Sequence, residues 1–298
     1  MAGGKRKKKW THKVEAVKGQ VDLLTYAAKV FPILGSKTAV KKAIESGRLL
    51  LNGQPAKYGD RVKNGAFLQL SGTGVRQVKK LSIDLEIIHE DDHLIVVNKP
   101  SGIAVNGNRN KTVENALVQI NQANKLEDAL PRPIAVHRID VPTSGLVILA
   151  KTKRALITLS KAFQEGEVQK EYVAVVHGAI PEDGTIDLPV NRKSALTHFQ
   201  KVDEAPSRIF EAVSLVKLRP ITGRTHQLRI HLKEIGHLIM GDKMYAEDQK
   251  TILGKGLFLA ACSLQLAHPI TRQALALSIP IPPKFKRVLE REAARFSR

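Results

Sequence analysis

Residues 134–150 read IAVHRIDVPTSGLVILA, and this stretch decides how the larger part of the chain folds. The apolar runs at its two ends are typical of buried strands, so we predict strands at 134–139 and 145–150. The polar residues between them then lie on a connection at the edge of a sheet, and loops held by rigid strands commonly carry chemistry. Asp140 is the only carboxylate in this stretch, which makes it the candidate catalytic acid.

The rest of the larger region mixes helical and strand patterns. Its apolar spacing predicts a hairpin over 85–97, helices over 112–123, 154–165 and 225–235, strands over 171–177, 209–219, 257–266 and 274–279, and a closing basic helix from Pro283. These strands neither alternate with helices as βαβ units do nor form an all-β array. The pattern therefore predicts an α+β fold with a mixed, largely antiparallel sheet flanked by helices.

Length and composition limit the class of protein. At 298 residues and 43% hydrophobic content, the chain suits one large domain with a smaller one attached. No apolar run approaches the length of a membrane span, and the basic start lacks the apolar segment of a secretory signal. We therefore expect a soluble, cytoplasmic protein that does not act at a membrane. The single cysteine, Cys262, lies in an apolar run, which favours a small buried side chain and excludes disulfides and a cysteine-built zinc site.

The positive charge of the chain is concentrated at one end. The net charge is +20, and residues 1–80 hold 18 Lys and Arg against four acids. Such an asymmetry is typical of a protein that meets a polyanion, because each neutralised phosphate releases counterions. The basic residues do not follow an amphipathic helix with a bulky apolar face, which argues against an anionic membrane surface. We expect RNA as the partner and do not expect DNA.

The basic end contains a small folded pattern. An amphipathic helix is predicted from Val21, a second helix begins at the N-cap Ser36 and ends at Gly47, and Asn52-Gly53 is a strong hairpin signal. The predicted organisation is a basic disordered arm at 1–20, a small α/β RNA-binding domain at 21–72, a linker at 73–82 and a large domain at 83–298. A solubilising tail with no specific role is the alternative for the arm.

The order of helices, Asn-Gly turn and final strand in residues 21–70 resembles the alpha-L RNA-binding motif, a module first recognised in a ribosomal protein. The likeness departs near the end, where Asn64-Gly65-Ala66 stands in place of the usual Gly-Asp. The resemblance implies phosphate contacts from four basic residues: Lys37, Lys41, Lys42 and Arg48. A helix face that is merely solvated is the alternative.

The segment from His137 to Leu146 resembles the signature H-R-L-D-x-x-T-S-G-L of the RluA-type pseudouridine synthases, with Ile139 in place of Leu. Further segments follow in that family's order: 90–102, 170–178, 220–232, 236–245 and 268–269. The likeness runs from about residue 85 to residue 280. It departs at Ala260-Ala261, where members commonly carry His-Ala.

The resemblance implies an enzyme that flips a uridine out of RNA, detaches its uracil, turns the ring and rejoins it through the 5-carbon. Asp140, Tyr172 and Arg229 are then the catalytic residues, with Arg229 as the cation beside Asp140. Three routes stay open for Asp140: attack on the anomeric carbon, attack on the uracil ring, or removal of a ribose proton. Arg138 would fill the space that the flipped nucleotide leaves or brace that nucleotide. Arg224, on another side of the same helix as Arg229, would make a phosphate or structural contact.

The reaction changes no oxidation state and releases no group, so we expect no cofactor. No Gly-rich cofactor loop is present, and His226 and His231 are five positions apart, a poor spacing for two zinc ligands on one helical face. We expect structural hydrogen bonds from both, and we expect His137 to pack beneath the loop.

Asp140 has other possible roles. An Asp beside an Arg on a loop is often a surface ion pair or a turn cap. A kinase catalytic loop is excluded because an extra residue separates Arg138 from Asp140 and no Asp-Phe-Gly triplet occurs, and a glycoside hydrolase would need a second carboxylate. The main hypothesis is a monomeric synthase acting on ribosomal RNA, with transfer RNA as the weaker choice. The second hypothesis is an RNA-binding ribosome-assembly factor without activity.

Overall fold

The computed structural model describes residues 9–17, 19–31, 34, 36–71, 83, 85–107, 111–118, 124–246 and 254–297. The chain divides into two compact units, residues 1–80 and 81–298. The predicted linker at 73–82 and the first eight residues of the basic arm lie outside the described residues. No helix in the described ranges is long and apolar enough to cross a membrane.

The first unit consists of two helices and six short strands within the described residues. These are β1 (Lys9–Lys13), β2 (Val21–Asp22), α1 (Leu23–Val30), α2 (Lys37–Glu45), β3 (Leu49–Leu51), β4 (Gln54–Pro55), β5 (Arg61–Val62) and β6 (Phe67–Ser71). Four of the strands form a sheet in the order β1-β6-β3-β4, and β2 pairs with β5. Capping fixes where the helices begin, because Asp22 and Ser36 accept hydrogen bonds from the N–H groups of Thr25 and Ala39.

One prediction for this unit is wrong. The sequence predicts that residues 9–13 belong to a disordered arm, but they form β1, which pairs antiparallel with β6. Trp10 packs against the core of the unit and the following Val14 is fully buried. The run of positive charges hides this signal, since a sheet-edge strand can bury one apolar side chain while its lysines stay in water.

The second unit contains four helices and ten strands within the described residues. These are β7 (Glu86–Glu90), β8 (Leu94–Lys99), α3 (Val113–Ala116), β9 (Ala129–Ala135), β10 (Ser144–Thr152), α4 (Lys153–Glu165), β11 (Gln169–His177), β12 (Asp183–Asp187), β13 (Leu196–Ser207), β14 (Glu211–Pro220), α5 (Gln227–Glu234), β15 (Leu259–Ala267), β16 (Ala274–Ser278) and α6 (Pro283–Phe296). The predicted helix over 112–123 is described only as α3, and residues 119–123 lie outside the described ranges.

The strands of the second unit form one sheet in the order β12-β13-β14-β11-β15-β10-β8-β7, with β16 paired to β15 and β9 to β10. The described pairings are antiparallel except β10 with β15, which is parallel. The predicted α+β class with a mixed, largely antiparallel sheet is therefore confirmed.

Strand β10 explains why the central sequence reads as a continuous apolar run. Leu146 and Ile148 pack on one face with α4, while Val147 and Leu149 pack on the other face with Val113 of α3. Successive side chains of a strand point to opposite faces, so a strand covered on both sides needs apolar residues throughout.

The bounds of the strand before the candidate loop differ from the sequence prediction. The strand expected at 134–139 is β9 and ends at Ala135, so the connection to β10 begins at residue 136. Strand β9 pairs only with β10 among the described strands, and such a position tolerates Pro131 and Pro133. The connection that carries Asp140 is therefore longer than predicted.

A close backbone approach links this connection to the centre of the sheet. Gly145 pairs with Ala261 across the parallel β10–β15 pair and has a φ of 115°. A Cβ atom at this position would lie 2.2 Å from the carbonyl oxygen of Ala261. Only glycine fits, and the chain leaving the loop can therefore enter the sheet directly beside β15.

Candidate active site

The Asp140 connection is held by hydrogen bonds from the segment that follows β8. The carbonyl of Val141 accepts from the Gly102 N–H at 2.8 Å and from Lys99 Nζ at 3.2 Å. The carbonyl of Pro142 accepts from Ser101 Oγ at 2.7 Å. Two segments that are separate motifs in the sequence therefore form one rigid support.

Lys99 is the buried cation of this support. Its side chain is fully buried, and its Nζ also donates to the carbonyls of Pro100 and Ile103 at 3.0 and 2.8 Å. Burial lowers the pKa of Lys99 to about 8, against the opposing attraction of Asp140. A positive charge therefore lies behind the candidate acid at neutral pH. The sequence places Lys99 in a family motif but indicates no role for it.

Asp140 contacts Arg229, as the resemblance implied. Arg229 Nη1 donates to Asp140 Oδ2 at 3.4 Å, and the Asp140 side chain is 17% exposed. The same guanidinium donates to both carboxylate oxygens of Asp242 at 2.7 Å, and Asp242 has no exposed side-chain surface. Burial acts to lower the pKa of Arg229, but Asp242 and Asp140 outweigh it and the pKa is raised. Arg229 is thus a permanent cation shared by two carboxylates.

His226 and Tyr245 complete the surroundings of Asp140. His226 Nε2 lies 3.7 Å from Asp140 Oδ1, and its Nδ1 is 2.8 Å from the Tyr245 hydroxyl. The Tyr245 ring packs against the Arg229 guanidinium, with 5.0 Å from Cζ to the ring centroid. His226 has a φ of 59°, an uncommon backbone conformation for a non-glycine residue. His231 makes a structural hydrogen bond to the Leu188 carbonyl, as expected. The sequence did not predict that His226 lies beside Asp140.

Tyr172 lies on β11, between β14 and β15 in the middle of the sheet. It is half-buried, and its hydroxyl has no hydrogen-bond partner in the described part of the chain. Burial, reinforced by the charge of Asp140, raises the pKa of the Tyr172 phenol above its usual range. The hydroxyl is therefore protonated at neutral pH and available to a ligand.

One cavity of about 660 Å³ brings the predicted site residues together. Its lining includes the three predicted catalytic residues and both predicted arginine contacts: Asp140, Tyr172, Arg229, Arg138 and Arg224. Arg138 and Arg224 are exposed. The remaining predicted RNA contacts, Lys37, Lys41, Lys42 and Arg48, belong to the first unit, where the three lysines are exposed on α2 and Arg48 bonds Ser46 Oγ.

One detail of the prediction changes. Arg224 is predicted on another side of the same helix as Arg229, but it precedes α5, and its Nε donates to the Ser194 carbonyl at 3.0 Å.

His137 packs as expected, stacked on Phe163 with ring centroids 4.3 Å apart. Its Nε2 accepts from the Ile148 N–H, and burial together with Lys170 lowers the pKa of His137 to about 3. His137 is thus a neutral support of the loop.

The described residues contain no group of three or more His, Cys, Asp or Glu side chains that could hold a metal ion. Sequence reasoning missed five residues of the site: Lys99, Lys170, His226, Asp242 and Tyr245. Their only signal is that they belong to the family motifs, and nothing in the spacing indicates that positions 140, 229 and 242 meet.

Asp140, the guanidinium of Arg229 and Tyr172 line one cavity, an arrangement that suits an enzyme. Comparisons with known proteins show which family of enzymes has this site. The family model described as RNA pseudouridylate synthase matches residues 93–234, which include the Asp140 loop, Tyr172 and Arg229. The ribosomal large subunit pseudouridine synthase D of Xanthomonas campestris is 30% identical over 88% of this chain and 86% of that protein. The dual-specificity RNA pseudouridine synthase RluA of Pasteurella multocida is 39% identical over 66% of this chain and 93% of that protein.

A solved structure agrees. The chain resembles the human RNA pseudouridylate synthase domain containing 4 with a TM-score of 0.56 and 26% identity, over 69% of this chain and 92% of that one. The chain belongs to the RNA pseudouridine synthases of the RluA and RluD type, and it is an isomerase that acts on RNA. The family resemblance of residues 85–280 is confirmed, whereas the alpha-L likeness of residues 21–70 stays a prediction.

Proposed function

We propose that this enzyme converts specific uridines of ribosomal RNA into pseudouridine, with Asp140 as the catalytic carboxylate. The observation that carries the proposal is the 3.4 Å contact between Asp140 and Arg229 at the wall of a cavity that Tyr172 also lines. The choice of ribosomal RNA is supported by the name of the Xanthomonas relative, which aligns with most of this chain. Transfer RNA is the weaker choice.

The chemistry needs one bond broken and one bond formed. The bond from ribose C1′ to uracil N1 breaks, the ring turns while it stays captive, and a bond from C1′ to C5 forms. The proton on C5 then leaves and N1 gains one, so the product is an isomer of the substrate. Asp140 supplies the carboxylate that attacks C1′, attacks the ring or removes a ribose proton, and these three routes share the need for a reachable oxygen.

The surroundings of Asp140 suit this task. A carboxylate in a site that closes over a base loses water, and nearby cations offset that loss. Arg229 contacts Asp140 directly, and the buried Lys99 lies close enough that the two charges interact. The short bonds to Asp242 orient Arg229, so Arg229 contacts only one oxygen of Asp140, Oδ2. The other oxygen, Oδ1, lies beside His226 and is left for the substrate.

Tyr172 is proposed to stack on the captive uracil and to assist the final proton transfer. Its hydroxyl has no partner among the described residues, which argues against a purely structural tyrosine. Because the pKa of Tyr172 is raised, the phenol can take the C5 proton only while it passes its own proton on. The neighbouring Asp140 carboxylate accepts that proton and then gives it up, directly or through water, to N1, which returns Asp140 to its ionised form.

A uridine in a helix or a stacked loop reaches this cavity only after its base flips out. Arg138 is exposed, lies two residues before Asp140 and lines the cavity, so it is placed to brace the displaced nucleotide. Arg224 lies on the same lining, but its bond to Ser194 engages one of its nitrogens. We assign Arg224 a combined role in holding the cavity wall and contacting phosphate.

The first unit is proposed to bind RNA through phosphates. Lys37, Lys41 and Lys42 are exposed on α2, and none forms an ion pair in the described part of the chain. Residues 37 and 41 are one helical turn apart, so α2 presents a basic stripe. Arg48 lies three residues after the end of that helix. Such a surface positions an enzyme on RNA without reading its sequence.

The test of the proposed substrate is a map of pseudouridines in the RNA of cells with and without this protein. Loss of one or a few sites in ribosomal RNA, restored by the purified enzyme acting on that RNA, is the expected result. Loss of sites in transfer RNA alone would contradict the ribosomal assignment, and an unchanged map would favour the inactive ribosome-assembly factor.

A further inference from the structure

A second cavity of about 360 Å³ adjoins the one that contains Asp140. The two share four lining residues: Gly166, Lys170, Pro220 and Ile221. The second cavity is bounded by the start of β11, the end of β14 and the middle of β15. Its volume falls in the range of about 300–1,000 Å³ that is typical of small-molecule sites. Nothing in the proposed reaction at Asp140 uses this space.

Lys170 lines both cavities and is half-buried. It has no ion pair and no side-chain hydrogen bond among the residues that the structure describes. Its neighbours differ in this respect, since Arg219 and Lys217 both pair with Glu171. Burial lowers the pKa of Lys170, and its charge helps to lower the pKa of His137. A half-buried lysine that has no partner among the described residues loses part of its hydration without compensation, so its presence points to an anion from outside the chain.

The second cavity has the surface that a nucleobase needs. Ile221 is 53% exposed at its edge and offers an apolar face, with the buried Val168 and Pro220 behind it. Polar side chains that can bond base edges also line it: Gln169, Ser263 and Gln265. The lining further includes Glu171, whose carboxylate is neutralised by its ion pairs with Arg219 and Lys217. Successive nucleotides of a strand are joined by a phosphodiester. A cation between two base-sized cavities matches that arrangement.

We propose that Lys170 binds a phosphodiester directly next to the target uridine and that the second cavity receives the neighbouring nucleotide. This inference rests on the proposed function, because it takes the uridine to occupy the cavity of Asp140. Lys170 then positions the strand that crosses from one cavity to the other. Its role is to bind and place RNA, and it forms and breaks no bond.

The test combines a protein change with an RNA change. Wild type and Lys170→Gln are assayed on a short RNA that contains the mapped uridine, with either flanking phosphate replaced by a neutral methylphosphonate. We expect Lys170→Gln to raise KM about tenfold or more with a smaller effect on kcat. One of the two methylphosphonates should cost wild type a similar factor and cost Lys170→Gln nothing further. Lys170→Arg should restore part of the binding.

Lys161→Gln is the matched control, because Lys161 is exposed on α4, pairs with Glu165 and lines neither cavity. A merely structural role for Lys170 would lower the Tm of Lys170→Gln, whereas removal of an unpaired half-buried charge should leave the Tm unchanged or raised. The inference would be overturned if the effect of Lys170→Gln added to the effect of each methylphosphonate. It would also be overturned if Lys170→Gln had the same KM as Lys161→Gln.

The same double-mutant cycle, which combines Lys170→Gln with each methylphosphonate, is measured for RNA binding as well as for turnover. If wild type bound the RNA and left its uridine unchanged, the proposed activity would be refuted, while the binding cycle would still decide the role of Lys170. If wild type converts the uridine and the cycle is additive, the proposed function stands and the Lys170 site is rejected.

Discussion

Arg229 is held more closely by Asp242 than by Asp140: the two bonds to Asp242 measure 2.7 Å, and the bond to Asp140 measures 3.4 Å. The shorter pair is the fully buried one, so it fixes the plane of the guanidinium. The longer contact leaves Asp140 free to meet a substrate atom while the cation stays in place. We therefore expect Asp242 to act as a positioning residue through Arg229.

The first prediction concerns Asp242→Asn. This change keeps the shape of the side chain but removes the charge that orients a buried arginine, and breaking a buried pair costs on the order of 3 kcal/mol. We expect a lower free energy of unfolding in urea and a lower kcat at nearly unchanged KM. Asp183→Asn on the exposed part of β12 is the control. Equal unfolding curves for the two variants would argue against this role of Asp242.

The second prediction separates the ring of Tyr172 from its hydroxyl. Tyr172→Phe should keep RNA binding, because the aromatic face remains, and should reduce turnover by about a hundredfold, because one proton-transfer group is removed. Tyr172→Leu should weaken binding as well. The measurement is KM and kcat for pseudouridine formation, and wild-type turnover by Tyr172→Phe would show that the hydroxyl plays no part.

The third prediction concerns the stability of the fold in acid. His177 is buried, stacks on Phe210 at 4.0 Å, and its Nε2 has no hydrogen-bond partner among the described residues. Burial lowers the pKa of His177 to about 4 from 6.5. Between these values the unfolded chain binds a proton that the folded chain does not. The contribution to stability is therefore complete above pH 6.5 and is lost as the pH falls towards 4, by up to about 3 kcal/mol.

Urea unfolding of wild type and His177→Phe at several pH values checks this. The variant keeps a stacked ring and removes the titrating group, so its free energy of unfolding should fall less between pH 6.5 and 4. Some slope should remain, because His137 shifts in the same direction. Plots of the free energy of unfolding against pH should run parallel for wild type and variant between about pH 7.5 and 8.5, because His177 is unprotonated there in both the folded and the unfolded chain. Identical slopes in the acid range would contradict the assignment to His177.

The fourth prediction tests the basic helix of the first unit. Replacing Lys37, Lys41 and Lys42 by Gln should weaken RNA binding and reduce its salt dependence by about 0.7–0.9 in the logarithmic slope for each phosphate that is no longer neutralised. The measurement is Kd over a series of KCl concentrations. Replacing three exposed lysines outside α2, Lys29, Lys57 and Lys63, removes the same charge as a control. Equal slopes in the two triple variants would show that total charge, and not α2, governs binding.

The sequence predicted the sheet strands that alternate or run apolar, and it predicted the family through motifs in order. It did not predict β12 or β13, because their exposed faces carry charges such as Asp203 and Glu204 that hide the buried alternation. It also did not predict β1, where one tryptophan anchors a strand of basic residues. These errors share a cause: tertiary pairing outweighs local composition, at the sheet edges β1 and β12 and also in β13, which pairs on both sides.

The candidate site shows the same limit. Asp140, Tyr172 and Arg229 came from the resemblance and line one cavity. Asp242 contacts Arg229, which lies 13 positions away in the sequence, and Lys99 contacts the Val141 carbonyl, which lies 42 positions away. Both contacts depend on how loops pack between strands. Local periodicity contains no information about such contacts, so only the folded chain reveals them.

The central claim is that the Asp140 carboxylate carries the reaction, and release of tritium from RNA labelled at uracil C5 tests it most directly. Asn at position 140 keeps the size of the side chain and removes the nucleophilic oxygen pair, so Asp140→Asn should bind the RNA and release no tritium above background. Release by Asp140→Asn at the wild-type rate would contradict the account.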